Sequence, residues 1–284
     1  MDQAVRNEMR LKPTVARYVV SAGRPVLLTD AIILADRVHE TLVSLSDGAS
    51  VFTGCDSHRE PLQGNRHAYI FCESNNRSGE DDGGEITHIV VYASMGFGSS
   101  DLKALENLSE IWGENDLRVA VVLQGLGQLE DFSVNSAVNS VGMDADHPFC
   151  PLLSRSRIWV SRTPFIPTRH PKVTRAGALK LDGRGLQIGS PEHEVRRLLG
   201  LEGLSEIASV EPIAGTILGK RQIVWSSFRL SRDGGRGRRA GSRGYGFRIE
   251  FSEPVQGPLA VGYGAHFGMG LFVPEDDGQI REGW

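Results

Sequence analysis

Seven arginines lie between Arg229 and Arg248, at 229, 232, 236, 238, 239, 243 and 248, with Asp233 as the only acid and glycines spaced among them. A guanidinium fork fits two phosphate oxygens at once, and each phosphate neutralised releases condensed counterion, so such a loop favours nucleic acid irrespective of its sequence. The plain alternative is a solvated surface hairpin. The candidate contacts in this stretch are Arg232, Arg236, Arg238, Arg239 and Arg243. A second segment, Gly257 to Gly270, interleaves glycines at 257, 262, 264, 268 and 270 with Tyr263, His266 and Phe267. Glycines let backbone amides approach a phosphate, and rings can stack on bases, which marks Gly262, Tyr263, Gly264, His266, Gly268 and Gly270 as candidate contacts. It is not a dinucleotide or Walker loop, because it has neither the G-x-G-x-x-G spacing nor a GKS or GKT, and it runs into a strand near the C-terminus. A structural glycine turn is the rival reading.

A third segment, Thr163 to Lys172, holds three prolines that keep it extended and display Arg169, His170 and Lys172 close together. On residue type alone it also reads as a Pro-rich linker. Among the histidines, His67 and His88 begin consecutive strands of one hairpin and fall at opposite ends of it, so they share no metal. His39, His147 and His193 read as ordinary surface or helix histidines. Three cysteines, Cys55, Cys72 and Cys150, are too few and too dispersed for a disulfide framework or a metal knuckle, so reduced thiols are expected.

The chain that must position these groups has 284 residues, 31 Lys plus Arg, 35 Asp plus Glu and 40% hydrophobic residues. That is the composition of a folded protein with one large or two small cores, and a net charge of -4 excludes a uniformly basic nucleic-acid binder while leaving room for a local patch. No apolar run is long enough to cross a bilayer and the first twenty residues carry charges, so a cytoplasmic protein without a membrane partner is expected. The apolar periodicity predicts a strand over 17–22, a helix over 28–45 and strands over 67–72 and 86–93. It continues with a helix over 101–112 and a strand over 118–123, a β-α-β-β-α-β order typical of the ferredoxin-like unit. An irregular linker over 131–156 follows. Beyond it come a strand over 157–162, a helix over 191–201 capped by Ser190 with Pro191 at its first position, and a strand over 207–213. Strands over 222–230 and 246–251 flank the arginine loop, and a last strand covers 271–273, with the helix before it short or missing. The expected fold class is therefore α+β, with a ferredoxin-like unit over 1–130 and a second βαβ-like half over 157–284 that carries the arginine and glycine-rich loops.

Three blocks in this order carry a resemblance. They are Thr53-Gly-Cys-Asp-Ser-His-Arg-Glu-Pro-Leu-Gln-Gly-Asn-Arg-His-Ala68 with Gly83 to Phe97, then Thr163 to Lys172, then Pro254 to Phe272. The chain from about residue 15 resembles the CRISPR-associated RAMP protein of type I-U (I-G) systems, a fusion of a backbone subunit with a repeat-processing endoribonuclease. It departs from the pattern by lacking most of the backbone half. The resemblance implies tandem ferredoxin-like (RRM-like) domains with a C-terminal glycine-rich loop, and cleavage of precursor CRISPR RNA within its repeats, with the repeat hairpin and other effector-complex subunits, including a separate backbone subunit, as partners. It also implies chemistry without a metal or other cofactor, in which the ribose 2'-hydroxyl attacks the adjacent phosphorus and leaves a cyclic phosphate. Such a site needs a base, an acid and positive charge for the phosphorane, and imidazole titrates in the right range. The base in related enzymes lies on or after the first helix, which favours His67, with Arg66 beside it on the RNA. His58, and His170 with Lys172, are the alternative catalytic groups, and Arg169 and Lys172 the phosphorane stabilisers. The competing reading is a subunit that holds guide RNA without cutting it.

Overall fold

The computed structural model of the protein describes residues 12–74, 84–112, 118–133, 149–232 and 243–275. It is a mixed α/β structure whose two five-stranded sheets are antiparallel throughout and carry few helices.

The first sheet begins with β1 (Val15–Ala22), whose β-branched and aromatic residues suit a pleated surface. The chain then enters a 3-10 turn (Leu28–Asp30) and α1 (Ala31–Leu45). Asp30 occupies the cap position but makes no side-chain cap bond, and its carboxylate lies 3.3 Å from the Arg229 guanidinium. A short helix α2 (Ser50–Thr53) leads to β2 (Tyr69–Ser74) and β3 (Ile86–Tyr92). Helix α3 (Ser99–Asn107) ends earlier than its periodicity predicts. Residues Glu110–Trp112 instead form the edge strand β4 beside β5 (Arg118–Gly127), because Ile111 can bury against the core only by pairing with Val119. The strand order is β2-β3-β1-β5-β4. Tyr18, Ile70, Ile89 and Val119 on one face meet Leu34, Val38 and Leu42 of α1 and Leu105 of α3, forming the largest core.

The second sheet contains β6 (Arg155–Ser161), followed, after a buried stretch over 162–167 and a largely exposed one over 168–188, by α4 (Pro191–Leu201) and β7 (Ile207–Ile213). Ser190 caps α4 as its type predicts, accepting a hydrogen bond from the His193 amide. A hairpin of β8 (Gly215–Leu218) and β9 (Arg221–Val224) replaces the long strand expected over 222–230, whose remainder turns into a 3-10 segment at Trp225–Ser227. β10 (Gly246–Gln256), β11 (Leu259–Ala260) and β12 (Leu271–Pro274) complete an order of β11-β12-β6-β10-β7. The stretch before β12 contains only a 3-10 turn, Ala265–Phe267.

The two sheets meet through apolar side chains. Val15, Phe71 and Val90 on the face of the first sheet away from α1 pack with Leu152, Leu153 and Leu271, while Leu218, Trp225 and Phe228 join the first core. Among the described residues no helix is long and apolar enough to cross a membrane.

Thr163 anchors the glycine-rich stretch. Its buried hydroxyl donates to the Gly268 carbonyl at 2.7 Å and accepts from the Leu271 amide at 3.0 Å. Thr163→Val keeps the volume but orphans both backbone groups, which should cost roughly 2–4 kcal/mol. Equilibrium urea unfolding should show the lower midpoint with an unchanged slope; a wild-type midpoint would mean that the hydroxyl does not hold the stretch.

Candidate active site

Residues from four segments converge where α1, the approach to β2 and the glycine-rich stretch meet. The 65–68 segment is fixed by its backbone: the Ala68 amide donates to Val51 O at 2.7 Å and the Met95 amide to Arg66 O at 3.2 Å. This presents the His67 ring to His266, and the two rings stack with centroids 3.7 Å apart and planes 10° from parallel. Tyr69 covers the other face of His266 at 3.8 Å and 25°. His266 is thus sandwiched, and its Nδ1 lies 3.0 Å from the Ala68 carbonyl. A carbonyl only accepts, so that nitrogen carries the proton and Nε2 keeps its lone pair. His39 on α1 meets Phe267 edge-on at 5.2 Å, with Nε2 3.1 Å from Phe52 O. The Nδ1 atoms of His39 and His67 are buried without a hydrogen-bond partner among the described residues.

Burial sets the electrostatics here. It is the largest cause of a downward shift at all three imidazoles, taking His266 to about 3, and the neighbouring imidazoles add to the shift at His67 and His266. All three rings are therefore neutral at pH 7. A neutral His67 is in the state a general base requires. The buried Asp36 carboxyl on α1 is pushed up by desolvation, against the pull of Arg232, whose guanidinium is 3.1 Å away and also lies 4.1 Å from the centre of the Phe267 ring.

Gly54 gives His67 room. It ends α2 in the left-handed region at φ 67, and a Cβ there would fall 2.8 Å from Cδ2 and Nε2 of the His67 ring. The glycines at 262, 264, 268 and 270 also have positive φ, and a Cβ on Gly270 would fall 1.9 Å from Val261 O. In this stretch the amides of Val261, Tyr263, Phe267, Met269 and Gly270 donate to protein carbonyls. The glycines thus serve close packing, and most of the amides read as a phosphate cradle are already engaged. Tyr263 packs with Ile32, Ile33, Ile166 and Met269 under the stretch.

The remaining candidates lie around this centre. Arg66 is exposed next to His67, and Asn65 donates to the Glu202 carboxylate, the C-cap of α4, at 3.1 Å. His58 is exposed on a turn closed by Cys55 and Pro61. Arg169, His170 and Lys172 are exposed beside α4, where Arg169 acts on the buried Glu194, and none of the ring contacts or hydrogen bonds described for the stack involves them. Of the arginine loop, Arg232 is held by Asp36, Arg248 is paired with Glu275 at 2.8 Å, and Arg243 is exposed near the Tyr245 ring. Arg236, Arg238 and Arg239 lie outside the described residues. Sequence reasoning missed Gly54, Tyr69 and His39. The one available signal was the face Ile32-Asp36-His39, which recurs at helical spacing on α1.

No family model and no curated protein matches this chain. Among solved structures, one described as "CRISPR associated protein Cas6" overlaps 93% of this chain and 99% of its own, at 8% identity and a TM-score of 0.41. A Cas6-related protein from Pyrococcus furiosus overlaps to the same extent at 10% identity and a TM-score of 0.40. A Cas6 product complex does so at 11% and 0.34.

Two outcomes follow from the packing. Gly54→Ala should displace the His67 ring and also strain a left-handed residue by about 1 kcal/mol; imidazole chemical shifts of His67 should change, while those of His88 should not. Folded His266 titrates near 3, whereas an unfolded histidine titrates near 6.5. The unfolded chain therefore binds the extra proton inside that window, and stability should be constant above it and fall as pH drops through it. His88, held at about 4, contributes in the same direction, so the comparison is between wild type and His266→Gln, whose acid loss should be smaller. Parallel stability–pH curves for the two proteins would contradict the assignment.

Proposed function

We propose that this protein is an endoribonuclease that cleaves precursor CRISPR RNA within its repeats, by 2'-hydroxyl attack that leaves a cyclic phosphate and a free 5'-hydroxyl. The observation that carries the reading is the neutral, partly exposed His67 imidazole, seated between Gly54 and His266 next to the exposed Arg66. His67 removes the proton from the 2'-hydroxyl. The exposed Arg66 beside it binds the scissile phosphate, where positive charge offsets the charge growing on the phosphorane. The sandwiched His266 fixes the orientation of His67, and a proton donor for the leaving oxygen comes from another group or from water. On this reading the two sheets are tandem ferredoxin-like units, since β2-β3-β1-β5 and β7-β10-β6-β12 share one order, with the glycine-rich stretch in the place of the second unit's second helix. The protein works in the cytoplasm with the other effector-complex subunits, and the exposed Arg169, Lys172 and Arg243 contribute to the hold on the hairpin.

A second reading has its own support. His266 has both ring faces covered and most amides of the glycine-rich stretch are occupied, which suits a rigid seat that grips guide RNA without cutting it.

Single-turnover incubation with end-labelled repeat RNA separates the two. His67→Ala should lower the cleavage rate about 10²- to 10⁴-fold with little change in RNA affinity. Cleavage should persist in EDTA. Because burial holds His67 below the ordinary histidine value of 6.5, the rate should stay high below that pH and fall only further into the acid range. Retention of intact RNA by the wild-type protein would establish the second reading, and abolition by EDTA would overturn the metal-free mechanism.

A further inference from the structure

Between β6 and α4 the chain builds an ordered arm over residues 172–188 from two copies of one turn. In the first, the Thr174 amide donates to Ala178 O, the Gly177 amide to Thr174 O, and the Ala178 amide to the Thr174 hydroxyl, at 2.8, 3.0 and 3.1 Å. In the second, the Asp182 amide donates to Leu186 O, the Gly185 amide to Asp182 O, and the Leu186 amide to the Asp182 carboxylate, at 2.9, 3.1 and 2.9 Å. Gly177 and Gly185 take φ of 82 and 80, as the turn demands. The copies are joined at their bases, where the Lys180 amide reaches Lys172 O, the Ile188 amide reaches Lys180 O, and the Lys172 amide closes back on Ile188 O. The same turn occurs a third time just after Gly54, in the segment that leads to His67. There the Asp56 amide donates to Glu60 O, the Arg59 amide to Asp56 O, and the Glu60 amide to the Asp56 carboxylate, with Arg59 at φ 64. Each copy carries an exposed arginine at its tip: Arg59, Arg175 and Arg184.

Backbone bonds satisfy the arm internally, which leaves its side chains to the solvent. Val173, Leu179 and Leu181 are 52%, 60% and 55% exposed, and Lys172, Arg175, Lys180 and Arg184 are all exposed among them. The nearby carboxylates are engaged: Asp182 by two turn amides, Glu192 by Arg196 and Glu194 by Arg197. The arm also leads to the site. Arg184 and Leu186 line a cavity of about 260 Å³ together with Arg196, Arg197 and Gly200 of α4, and Glu202 at the end of that helix bonds Asn65, two residues before His67.

We propose that this arm docks a base-paired segment of the RNA that the histidine site acts on, an inference that rests on the reading of that site as RNA-cleaving. Charge selects the occupant, because four cations on a rigid projection with its one carboxylate already bonded match a phosphate backbone. The exposed aliphatic side chains among them suit the wide, shallow minor groove of an A-form helix, where riboses are reached without reading bases. Contact is therefore shape-directed and salt-sensitive, and separate from the chemistry at His67.

The test uses the full chain and a triple variant, Arg175→Ala/Lys180→Ala/Arg184→Ala, all at exposed positions outside the catalytic centre. RNA hairpin affinity is measured by filter binding over a salt series, and cleavage at saturating RNA. The variant should bind about tenfold or more weakly and show a salt slope shallower by about two to three, roughly one unit for each phosphate no longer neutralised, while its saturated rate stays at the wild-type value. An Arg175→Lys/Arg184→Lys variant should recover most of the affinity. Wild-type affinity and slope in the triple variant would overturn the proposal, as would unchanged RNA binding with loss of an acidic protein partner. A wild-type protein that binds but does not cleave, with the variant still weakened, would overturn the reading of His67 and leave the arm standing. A wild-type protein that does not bind RNA would overturn both.

Discussion

The stack of His266 between His67 and Tyr69 is the contact on which the arrangement of the site depends. It joins the glycine-rich stretch before β12 to the approach of β2, so a ring from late in the chain fixes one from early in it. The stack is possible only because glycine occupies the tight places. Gly54 clears the ring of His67, and Gly268 brings the stretch so near β2 that a Cβ would lie 3.1 Å from Ile70 O. Burial of the rings has an electrostatic consequence as well as a steric one. Three imidazoles this close could not all be charged, and removing them from water keeps them neutral.

Charge is distributed in the opposite manner outside this centre. Near the histidines Arg232 is tied down by Asp36, while Arg66 stays exposed. Farther out, along the 172–188 arm, the cations stand on self-satisfied turns with no role in the core. A protein with a net charge of -4 can thus present a basic arm, because the acids next to it, Glu192, Glu194 and Asp182, pair with helix arginines or accept turn amides.

Local signals were enough to read much of the framework. Ser190-Pro191 announced α4 and Ile207–Ile213 its following strand, both with the observed limits, because a cap, a helix-starting proline and a short run with β-branched residues act within a few positions. The same signals failed at Asn107, where leucine spacing continued past the helix. There the choice between helix and edge strand was made by β5, which offered Ile111 a partner. They failed again at 215–224, where a hairpin packs Leu218 onto Gly84, a neighbour no local window contains.

The amino-acid sequence by itself determined most of the order of strands and helices, the cationic and glycine-rich character of particular segments, and the prominence of His67. These depend on side-chain type and on spacing over a turn or two. Only the tertiary structure decided that His266 and His39 join His67, that Arg232 belongs to Asp36, and that the glycines serve packing before any ligand. The reason is physical. Stacking, desolvation and ion pairing act over a few ångströms between groups more than two hundred residues apart in the chain, and which groups meet is settled by how the two sheets close on each other.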